Sequence, residues 1–340
     1  MSLTATVVDP LTGPPPSGWD QFVAAQRLPP GWYADLITAM DWCATAPSSM
    51  ALVHDRAGAP VAAFHARHLG PGRPWRFSTP GRAPVAGLTA CVTPPPANDA
   101  GIAFAAGTDG HDRREAVRVF ERAVRRRARL VRPARPLIGY RGLYEDDLRA
   151  VPTGRRITFR LSPQMALTNE WPDVPSYLRS LTKKFRYQVR KVRKAVDADR
   201  TLRVDPDGSV DPVEACWLAE VVRRRYASRW LPSPPLPTCY FARMARLPGT
   251  RLVTYRDGRG RLLAYLALYD DGRDLAMVCW GSRATADGRR TDVYFDQYLR
   301  LVDLMIGSGR QRLLMGRGME QIKGRYGARP LPRWGVVGLA

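Results

Sequence analysis

The stretch TRLVTYRDGRGRLLAYLALYDDGRDLAMVCWGS, residues 250–282, carries the clearest fold signal in this chain. Three apolar runs alternate in it with two turn dipeptides, Asp257-Gly258 and Asp271-Gly272. Asp-Gly between two apolar runs is typical of a tight hairpin turn, because both residues tolerate a positive φ. The stretch therefore predicts three consecutive antiparallel strands.

Helices and single strands are predicted on both sides of these three strands. Two helices precede them, Pro175 to Val196 with a break near Thr182, and Pro212 to Ser228. Thr291 to Gly307 follows as an amphipathic helix that ends at a glycine. The chain then closes with a predicted strand, short helix and strand at 311–316, 320–326 and 333–339.

The first 150 residues are predicted to mix the same kinds of element. The first thirty are rich in Pro and Gly and are expected to be irregular. Helices are predicted at 32–43, 112–130 and 144–151. Two strands are predicted within 50–69, around a turn at 55–58, and single strands at 87–92, 101–107 and 136–143. We expect an α/β (α+β) fold of two tandem domains, residues 1–155 and 156–340. Each would be a mixed, mostly antiparallel sheet flanked by helices.

The formal net charge of +22 is concentrated in the second half of the chain. Residues 1–150 carry 18 basic and 13 acidic side chains, a net of +5, whereas residues 151–340 carry 35 and 18, a net of +17. A positive field of this size favours a polyanionic partner such as nucleic acid, an anionic membrane surface or a phosphorylated ligand. A compositional bias toward arginine is the alternative explanation, but it does not account for the distribution of lysine.

Four of the five lysines lie in SLTKKFRYQVRKVRKA, residues 180–195. Apolar residues recur every three or four positions from Leu178 to Val196, and the segment between Arg179 and Val196 contains no acidic residue. The pattern predicts an amphipathic helix with a purely cationic polar face. Such a face is either simply solvated or contacts phosphate, and the clustering of lysine, a mobile point-charge donor, favours phosphate. The predicted phosphate-binding residues are Lys183, Lys184, Arg186, Arg190, Lys191, Arg193 and Lys194.

The fifth lysine, Lys323, lies in MGRGMEQIKGRYGARP, residues 315–330. A predicted strand runs into two glycines and then into a short helix, so backbone N–H groups at this turn can meet an anion or a carbonyl oxygen. Glu320 precedes Lys323 by three residues. The two side chains either pair on the surface or take part in chemistry, with Glu320 as the first candidate for a general base.

Other chemistries have little support in the sequence. The four histidines all lie within the first 111 residues without an HExxH pattern, and the five cysteines lack metal-ligand spacing, so no metal site is predicted. There is no signal-peptide pattern and no apolar run of 18 residues. This predicts a soluble cytoplasmic protein, leaves peripheral membrane contact open, and gives no indication of oligomeric state.

The two lysine-bearing strings together resemble the Fem-type transferases and their GNAT relatives. SYLRSLTKKFRYQVRKVRKA is similar to a Ser-Leu, Lys-Lys, Arg and basic-helix segment of that family, and VYFDQYLRLVDLMIGSGRQRLLMGRGMEQIKGRYGARP is similar to its closing helix–strand–helix. The predicted order of elements is also that of the GNAT acyltransferase fold. The resemblance covers about Trp171 to Trp334 and implies two tandem GNAT-like domains, of which the first is divergent.

This resemblance implies an acyltransferase that forms an amide bond. The donor would be aminoacyl-tRNA, used as a co-substrate without a separate cofactor, and the acceptor an amine in a peptide natural product or a cell-wall precursor. The basic helix would contact the tRNA backbone. The segment Gln321 to Tyr326 departs from the Gln/Arg-x-x-Gly-x-Gly/Ala loop that binds CoA pyrophosphate in the family, because Tyr326 stands at its last position.

That departure favours tRNA over CoA as the carrier of the donor. An acyl-CoA-dependent GNAT N-acyltransferase and a non-enzymatic RNA- or anionic-surface-binding protein remain alternatives. The predicted catalytic residues are Glu320, Lys323, Tyr294 and Asp296. The predicted substrate-binding residues are Gly316, Arg317, Gly318, Arg325 and Tyr326.

Overall fold

A computed structural model of the chain describes most of the 340 residues. The described ranges are 3–44, 47–69, 88–93, 99–131, 137–152, 154–226, 235–288 and 290–339. The chain forms two compact units, and both are built from segments that are not contiguous in sequence. Unit 1 comprises Met1–Leu161, Ala227–Tyr240 and Pro332–Ala340, and unit 2 comprises Ser162–Tyr226 and Phe241–Leu331. The division into domains at residues 155 and 156 stays a prediction.

Unit 1 is a mixed sheet with helices. Its strands are β1 (Thr4–Val8), β2 (Ser48–His54), β3 (Pro60–His68), β4 (Leu88–Cys91), β5 (Ile102–Phe104), β6 (Leu137–Leu143), the start of β7 (Arg156–Thr168) and most of β13 (Arg329–Leu339). Its helices are α1 (Trp19–Ala25), α2 (Ala34–Trp42), α3 (Gly110–Val131) and α4 (Glu145–Leu148). The strand order is β1-β2-β3-β4-β6-β13, with β5 also paired to β3. Of the pairings that involve β1 to β6 and β13, β4 with β6 is parallel and the others are antiparallel.

The prediction that the first thirty residues are irregular was wrong. They contain β1 and α1, and α1 buries Trp19, Phe22 and Val23. Gly18, at φ +82°, lets the chain turn directly into this helix. The abundant Pro and Gly lie in the connections around these elements, so composition alone concealed the apolar spacing at 19, 22 and 23.

Unit 2 is a second mixed sheet with helices. Its strands are the end of β7, β8 (Leu202–Asp205), β9 (Thr250–Asp257), β10 (Leu262–Asp270), β11 (Asp274–Ser282) and β12 (Arg312–Leu314). Its helices are α5 (Val174–Ser180), α6 (Lys183–Ala198), α7 (Pro212–Arg225), most of α8 (Thr238–Met244), α9 (Thr291–Gly307) and α10 (Glu320–Arg325). The strand order is β7-β12-β11-β10-β9-β8, antiparallel except for β11 with β12.

The three strands predicted from residues 250–282 are confirmed as the antiparallel ladder β9-β10-β11. Asp257 supports the first turn, since its carboxylate accepts hydrogen bonds from the backbone N–H groups of Arg259 and Arg261. Two elements were missed, β8 and α8. Each is short, four and seven residues, and such lengths give little periodicity to detect.

The predicted break near Thr182 is confirmed, and it orients the basic helix. α5 ends at Ser180, and the Thr182 side chain accepts a hydrogen bond from the N–H of Phe185 at 3.4 Å, which caps α6. Val189 and Val196 of α6 are buried, and α6 packs against α9. This packing turns one face of α6 toward α9 and leaves the other face to solvent.

Candidate functional site

The inner face of α6 is held to α9 by a network of paired charges. Asp296 is buried and accepts hydrogen bonds from Arg193 Nε at 2.8 Å, Arg300 Nε at 2.5 Å and Tyr255 Oη at 3.1 Å. Arg193 also donates to Asp303 through Nη1 at 2.8 Å. Both oxygens of this carboxylate already accept hydrogen bonds from other side chains of the protein, so neither is free to contact a substrate. We therefore do not assign Asp296 the role of a base.

The outer face of α6 is an exposed cationic surface without acidic partners. In the described part of the chain, no acidic side chain forms an ion pair with its members, Lys183, Lys184, Arg190, Lys191 and Lys194. Most arginines around α9 and the β9-β10-β11 ladder, in contrast, form ion pairs with carboxylates. Examples are Arg290, Arg310 and Arg312. Arg186 and Arg193 do not belong to this surface, since Arg186 donates to the carbonyl oxygen of Arg179 at 3.0 Å and Arg193 is bound to α9.

Two members of the cationic surface border a groove of about 520 Å³. Its lining is mixed. Three residues are basic, two are acidic and four are apolar: Arg190, Arg193, Lys194, Asp197, Asp303, Val174, Leu178, Ala198 and Leu299. The groove offers apolar contact next to exposed cations.

A separate cavity of about 410 Å³ lies between β11, α9 and the segment that follows β12. Its lining residues are Val222, Arg225, Tyr226, Met277, Val278, Cys279, Trp280, Tyr294, Gln297, Tyr298, Met315, Gly316, Arg317, Gly318, Met319 and Lys323. Four of them are aromatic and three are cationic. None of these described lining residues is acidic, so the cavity has a positive electrostatic potential.

Lys323 is the buried cation of this cavity, with 3% of its surface exposed. Its Nζ donates a hydrogen bond to the carbonyl oxygen of Arg317 at 2.9 Å, which satisfies one of its three donors. Burial lowers the pKa of Lys323 to about 8, the charge of Arg317 acts in the same direction, and Glu320 opposes the shift. Lys323 can therefore donate to an oxygen that enters the cavity, and it can also lose its proton at mildly alkaline pH.

A left-handed turn brings the Arg317 carbonyl to Lys323. Gly316, Gly318 and Met319 have φ values of +72°, +67° and +54°. Gly316 is also positioned by its carbonyl oxygen, which accepts from the N–H of Met165 at 3.1 Å. The glycines meet a backbone requirement here, because L side chains rarely adopt these angles. The prediction of a glycine turn before a short helix is confirmed by this geometry.

The other predicted site residues divide between the cavity and other locations. Tyr294 lines the cavity, and its hydroxyl lies 3.0 Å from that of Tyr298. Tyr326 is 1% exposed and donates to the carbonyl oxygen of Phe295 at 2.9 Å, so it packs in the core. Glu320 and Arg325 are exposed on α10 and do not line the cavity.

Glu320 and Lys323 do not form the ion pair that their spacing suggested. The Lys323 ammonium turns inward to Arg317, whereas Glu320 stays exposed, and within the described residues Glu320 has no ion-pair partner. The reason is the left-handed turn, which directs the start of α10 so that position 323 faces the cavity.

Gln297 is the cavity residue that sequence reasoning missed. Its side chain is fully buried, and neither Oε1 nor Nε2 has a hydrogen-bond partner. Leaving a buried amide unpaired costs about 1–3 kcal/mol, so the position invites a partner that the protein itself does not supply. The available signal was spacing, because Gln297 lies four residues after Val293 and four before Leu301 on the apolar stripe of α9.

Neither a metal site nor a membrane span was found. Among the described residues, no group of three or more His, Cys, Asp or Glu side chains is arranged to hold a metal ion. Over the same part of the chain, every helix is too short or too polar to cross a bilayer.

Comparison with known proteins identifies the fold around this cavity. Residues 183–324 match the acetyltransferase (GNAT) domain family. No curated protein sequence matches the chain.

Several solved structures share the fold at low sequence identity. L-PGS from Bacillus licheniformis matches with a TM-score of 0.59 at 10% identity, over 95% of this chain and 91% of that one. FemX matches with a TM-score of 0.59 at 10% identity, over 98% and 97%. A tandem GNAT protein from the clavulanic acid biosynthesis pathway matches with a TM-score of 0.51 at 12% identity, over 99% and 98%.

These matches confirm the predicted fold class, a mixed α/β architecture of mostly antiparallel strands flanked by helices. The segment with the GNAT match contains α6, the cavity-forming strands, α9 and Lys323. The chain shares its fold with FemX, L-PGS and a tandem GNAT protein, and the GNAT domain match over residues 183–324 supports an acyltransferase enzyme.

Proposed function

We propose that the protein transfers an aminoacyl group from aminoacyl-tRNA to an amine acceptor, forming an amide bond. The observation that carries the proposal is the cationic surface of α6, five exposed cations without acidic partners in the described part of the chain. Like charges on one helix face repel each other, so a helix that keeps them unpaired is suited to a polyanion such as an RNA backbone. The resemblance of residues 171–334 to the Fem-type transferases, stated above, implies the same donor.

The proposed reaction needs little acid–base chemistry from the protein. The acceptor nitrogen attacks the ester carbonyl carbon, a C–N bond forms and the C–O bond to the tRNA breaks. The leaving 3′-oxygen gains a proton and the nitrogen loses one. Because the ester is already activated, orientation of the two reactants can supply most of the rate.

We assign Lys323 the role of hydrogen-bond donor to the oxygen of the reacting carbonyl group. As negative charge develops on the carbonyl oxygen, a buried ammonium group stabilises it without needing to reorganise. Burial of Cys279 raises the pKa of its thiol to about 11, so this cavity cysteine is protonated at neutral pH and unsuited to act as a covalent relay. A direct transfer between donor and acceptor follows.

The second candidate is an acyl-CoA-dependent N-acyltransferase, favoured by the match of residues 183–324 to a family described as acetyltransferases. It would use the same cavity and the same Lys323. The cationic surface of α6 would then contact phosphates of CoA or of an anionic acceptor. A non-enzymatic RNA-binding role would use the surface alone and leave Lys323 without a function.

Salt-dependent binding separates these functions. We would measure the Kd of charged tRNA and of acetyl-CoA at several salt concentrations. Contact of the five exposed cations with RNA phosphates predicts a slope of log K against log salt of about −3.5 to −4.5, and CoA predicts a much shallower one. The test variant changes Lys183, Lys184, Lys191 and Lys194 to Ala.

The matched control removes four exposed arginines from other surfaces: Arg114, Arg246, Arg259 and Arg329. Loss of tRNA binding and of most of the salt slope in the lysine variant alone would support the proposal. Equal losses in both variants would mean that net charge, not the surface of α6, is responsible. Tight CoA binding without tRNA binding would replace the proposal by the second candidate.

A further inference from the structure

The cavity contains an amide that the protein leaves unpaired. Gln297 is 0% exposed, lies on α9 one turn from Tyr294, and lines the cavity that also contains Lys323. Both its acceptor, Oε1, and its donor, Nε2, lack a hydrogen-bond partner. An apolar residue at this position would pack as well and avoid the desolvation cost, so packing gives no reason for a glutamine.

The charges around Gln297 restrict what can enter. Lys323, Arg225 and Arg317 line the cavity, and none of its described lining residues is a carboxylate that could receive a cationic group. Every aminoacyl donor carries the same α-amino group, so the donors differ only in their side chains. An ammonium or guanidinium side chain would add a further positive charge to this space and find no counter-ion among the described lining residues. A neutral polar group faces no such penalty, and the rings of Trp280 and Tyr298 can cover its apolar part.

We propose that Gln297 is the residue that selects the transferred aminoacyl group, and that it selects a side chain ending in a carboxamide. A carboxamide presents one donor beside one acceptor, so it can satisfy both unpaired atoms of the Gln297 amide at once. An apolar side chain of the same size leaves both unpaired, and a lysine-like side chain is repelled. This inference rests on the proposed function, because it assigns the cavity to the aminoacyl group of the donor.

The probes are acceptor-stem RNA hairpins that carry one amino acid each through a non-hydrolysable 3′-amide. Asparagine and leucine form an isosteric pair that differs in hydrogen bonding, and lysine tests the exclusion of cations. Kd would be measured by calorimetry for the wild-type protein, for Gln297→Leu and for Gln321→Leu. The last variant is a matched control, since it makes the same change on the exposed side of α10, outside the cavity lining.

For the wild-type protein and Gln321→Leu, we expect the asparagine hairpin to bind at least about tenfold more tightly than the leucine hairpin, with the lysine hairpin weakest. Gln297→Leu should abolish the difference between asparagine and leucine while its melting temperature stays equal or rises. Unchanged discrimination in Gln297→Leu, or no discrimination in the wild-type protein, would overturn this inference and leave the proposed function intact. If the charged hairpins bind no better than an uncharged one while acetyl-CoA binds, the proposed function fails instead.

Discussion

Both units of the chain bury paired charges beside a sheet, but among the described residues unit 2 also buries Lys323, which has no carboxylate partner. In unit 1, Asp41 on α2 pairs with Arg67 and lies 3.5 Å from His65 Nε2, both on β3. Glu121 on α3 likewise receives Arg156 at 2.7 and 2.9 Å. In unit 2, the cavity holds Lys323 with a single backbone carbonyl as its partner.

The difference indicates what each buried charge does. Paired charges in an interior are compensated within the protein and are most simply structural. A buried ammonium that faces a cavity with only a carbonyl for a partner retains donors for a ligand. On this reasoning, damage to the unit 1 pairs should reduce stability, and damage to Lys323 should reduce function.

The largest effect on stability is expected from Asp41→Asn. Burial raises the pKa of Asp41, but the hydrogen bond from His65 and the charge of Arg67 outweigh it and hold the pKa below its usual value. Removing the carboxylate charge takes the Asp41 counter-charge away from the buried Arg67, which should lower the free energy of unfolding by about 3–5 kcal/mol. Urea denaturation measures the loss.

Asp146→Asn is the control for this change, because Asp146 is an exposed aspartate on α4. It should alter the free energy of unfolding by less than about 0.5 kcal/mol. If Asp41→Asn changed the free energy of unfolding as little as Asp146→Asn, the Asp41–Arg67 pair would not stabilise unit 1. The contrast drawn between the two units would then be wrong.

Lys323→Met should have the largest effect on catalysis. Losing the donor to the developing oxyanion should reduce kcat by a factor of about 10²–10³, measured as amide product formed per enzyme. Lys184→Met, on the exposed surface of α6, is the control and should mainly weaken donor binding. A Lys323→Met enzyme with full turnover would remove Lys323 from the mechanism.

The sequence predicted much of the fold and only part of the site, for identifiable reasons. The β9-β10-β11 ladder and α6 were predictable because Asp-Gly turns and a regular apolar stripe are local signals. Lys323 was found because it is the one lysine outside residues 180–195 and follows a glycine-rich turn. Gln297 was missed, because whether a buried polar group is paired depends on residues distant in sequence.

Asp296 and Tyr326 illustrate the same limit from the other side. Both are polar residues within three positions of a cavity-lining residue in the sequence, which made them reasonable candidates for site residues. Asp296 is occupied by Arg193, which lies more than a hundred residues earlier in the chain, and Tyr326 points to the Phe295 carbonyl. Sequence spacing predicts the helix face on which a residue lies. It does not predict which distant residue will form a hydrogen bond with it.

A smaller effect of Lys323 should appear in the pH dependence of stability. The pKa of Lys323 is lowered to about 8 by burial, whereas a lysine in the unfolded chain titrates near its ordinary value. Between these values the unfolded state binds more protons, so stability attributable to this group rises with pH. Lys323→Met should therefore be more stable than the wild-type protein at pH 7 by up to about 3 kcal/mol, and the advantage should shrink toward pH 10. Urea denaturation of both proteins at pH 7 and 9.5 measures it, and a constant difference would contradict the shifted pKa.

The smallest effect on turnover is expected from Cys279→Ala. An unchanged turnover would indicate that the reaction does not pass through this thiol. Cys279 lines the same cavity as Lys323, and a thiol there could in principle form an acyl-enzyme intermediate. Burial raises its thiol pKa to about 11, so at pH 7 only about one thiol in ten thousand is ionised and nucleophilic. Turnover of Cys279→Ala should stay within about twofold of the wild-type value, because in direct transfer the acceptor amine attacks the donor itself. A fall of a hundredfold or more, together with a burst of released deacylated tRNA in the wild-type protein, would require a covalent step. The unpaired polar groups of the cavity would then have to be interpreted as supports for a thioester rather than as contacts for the donor.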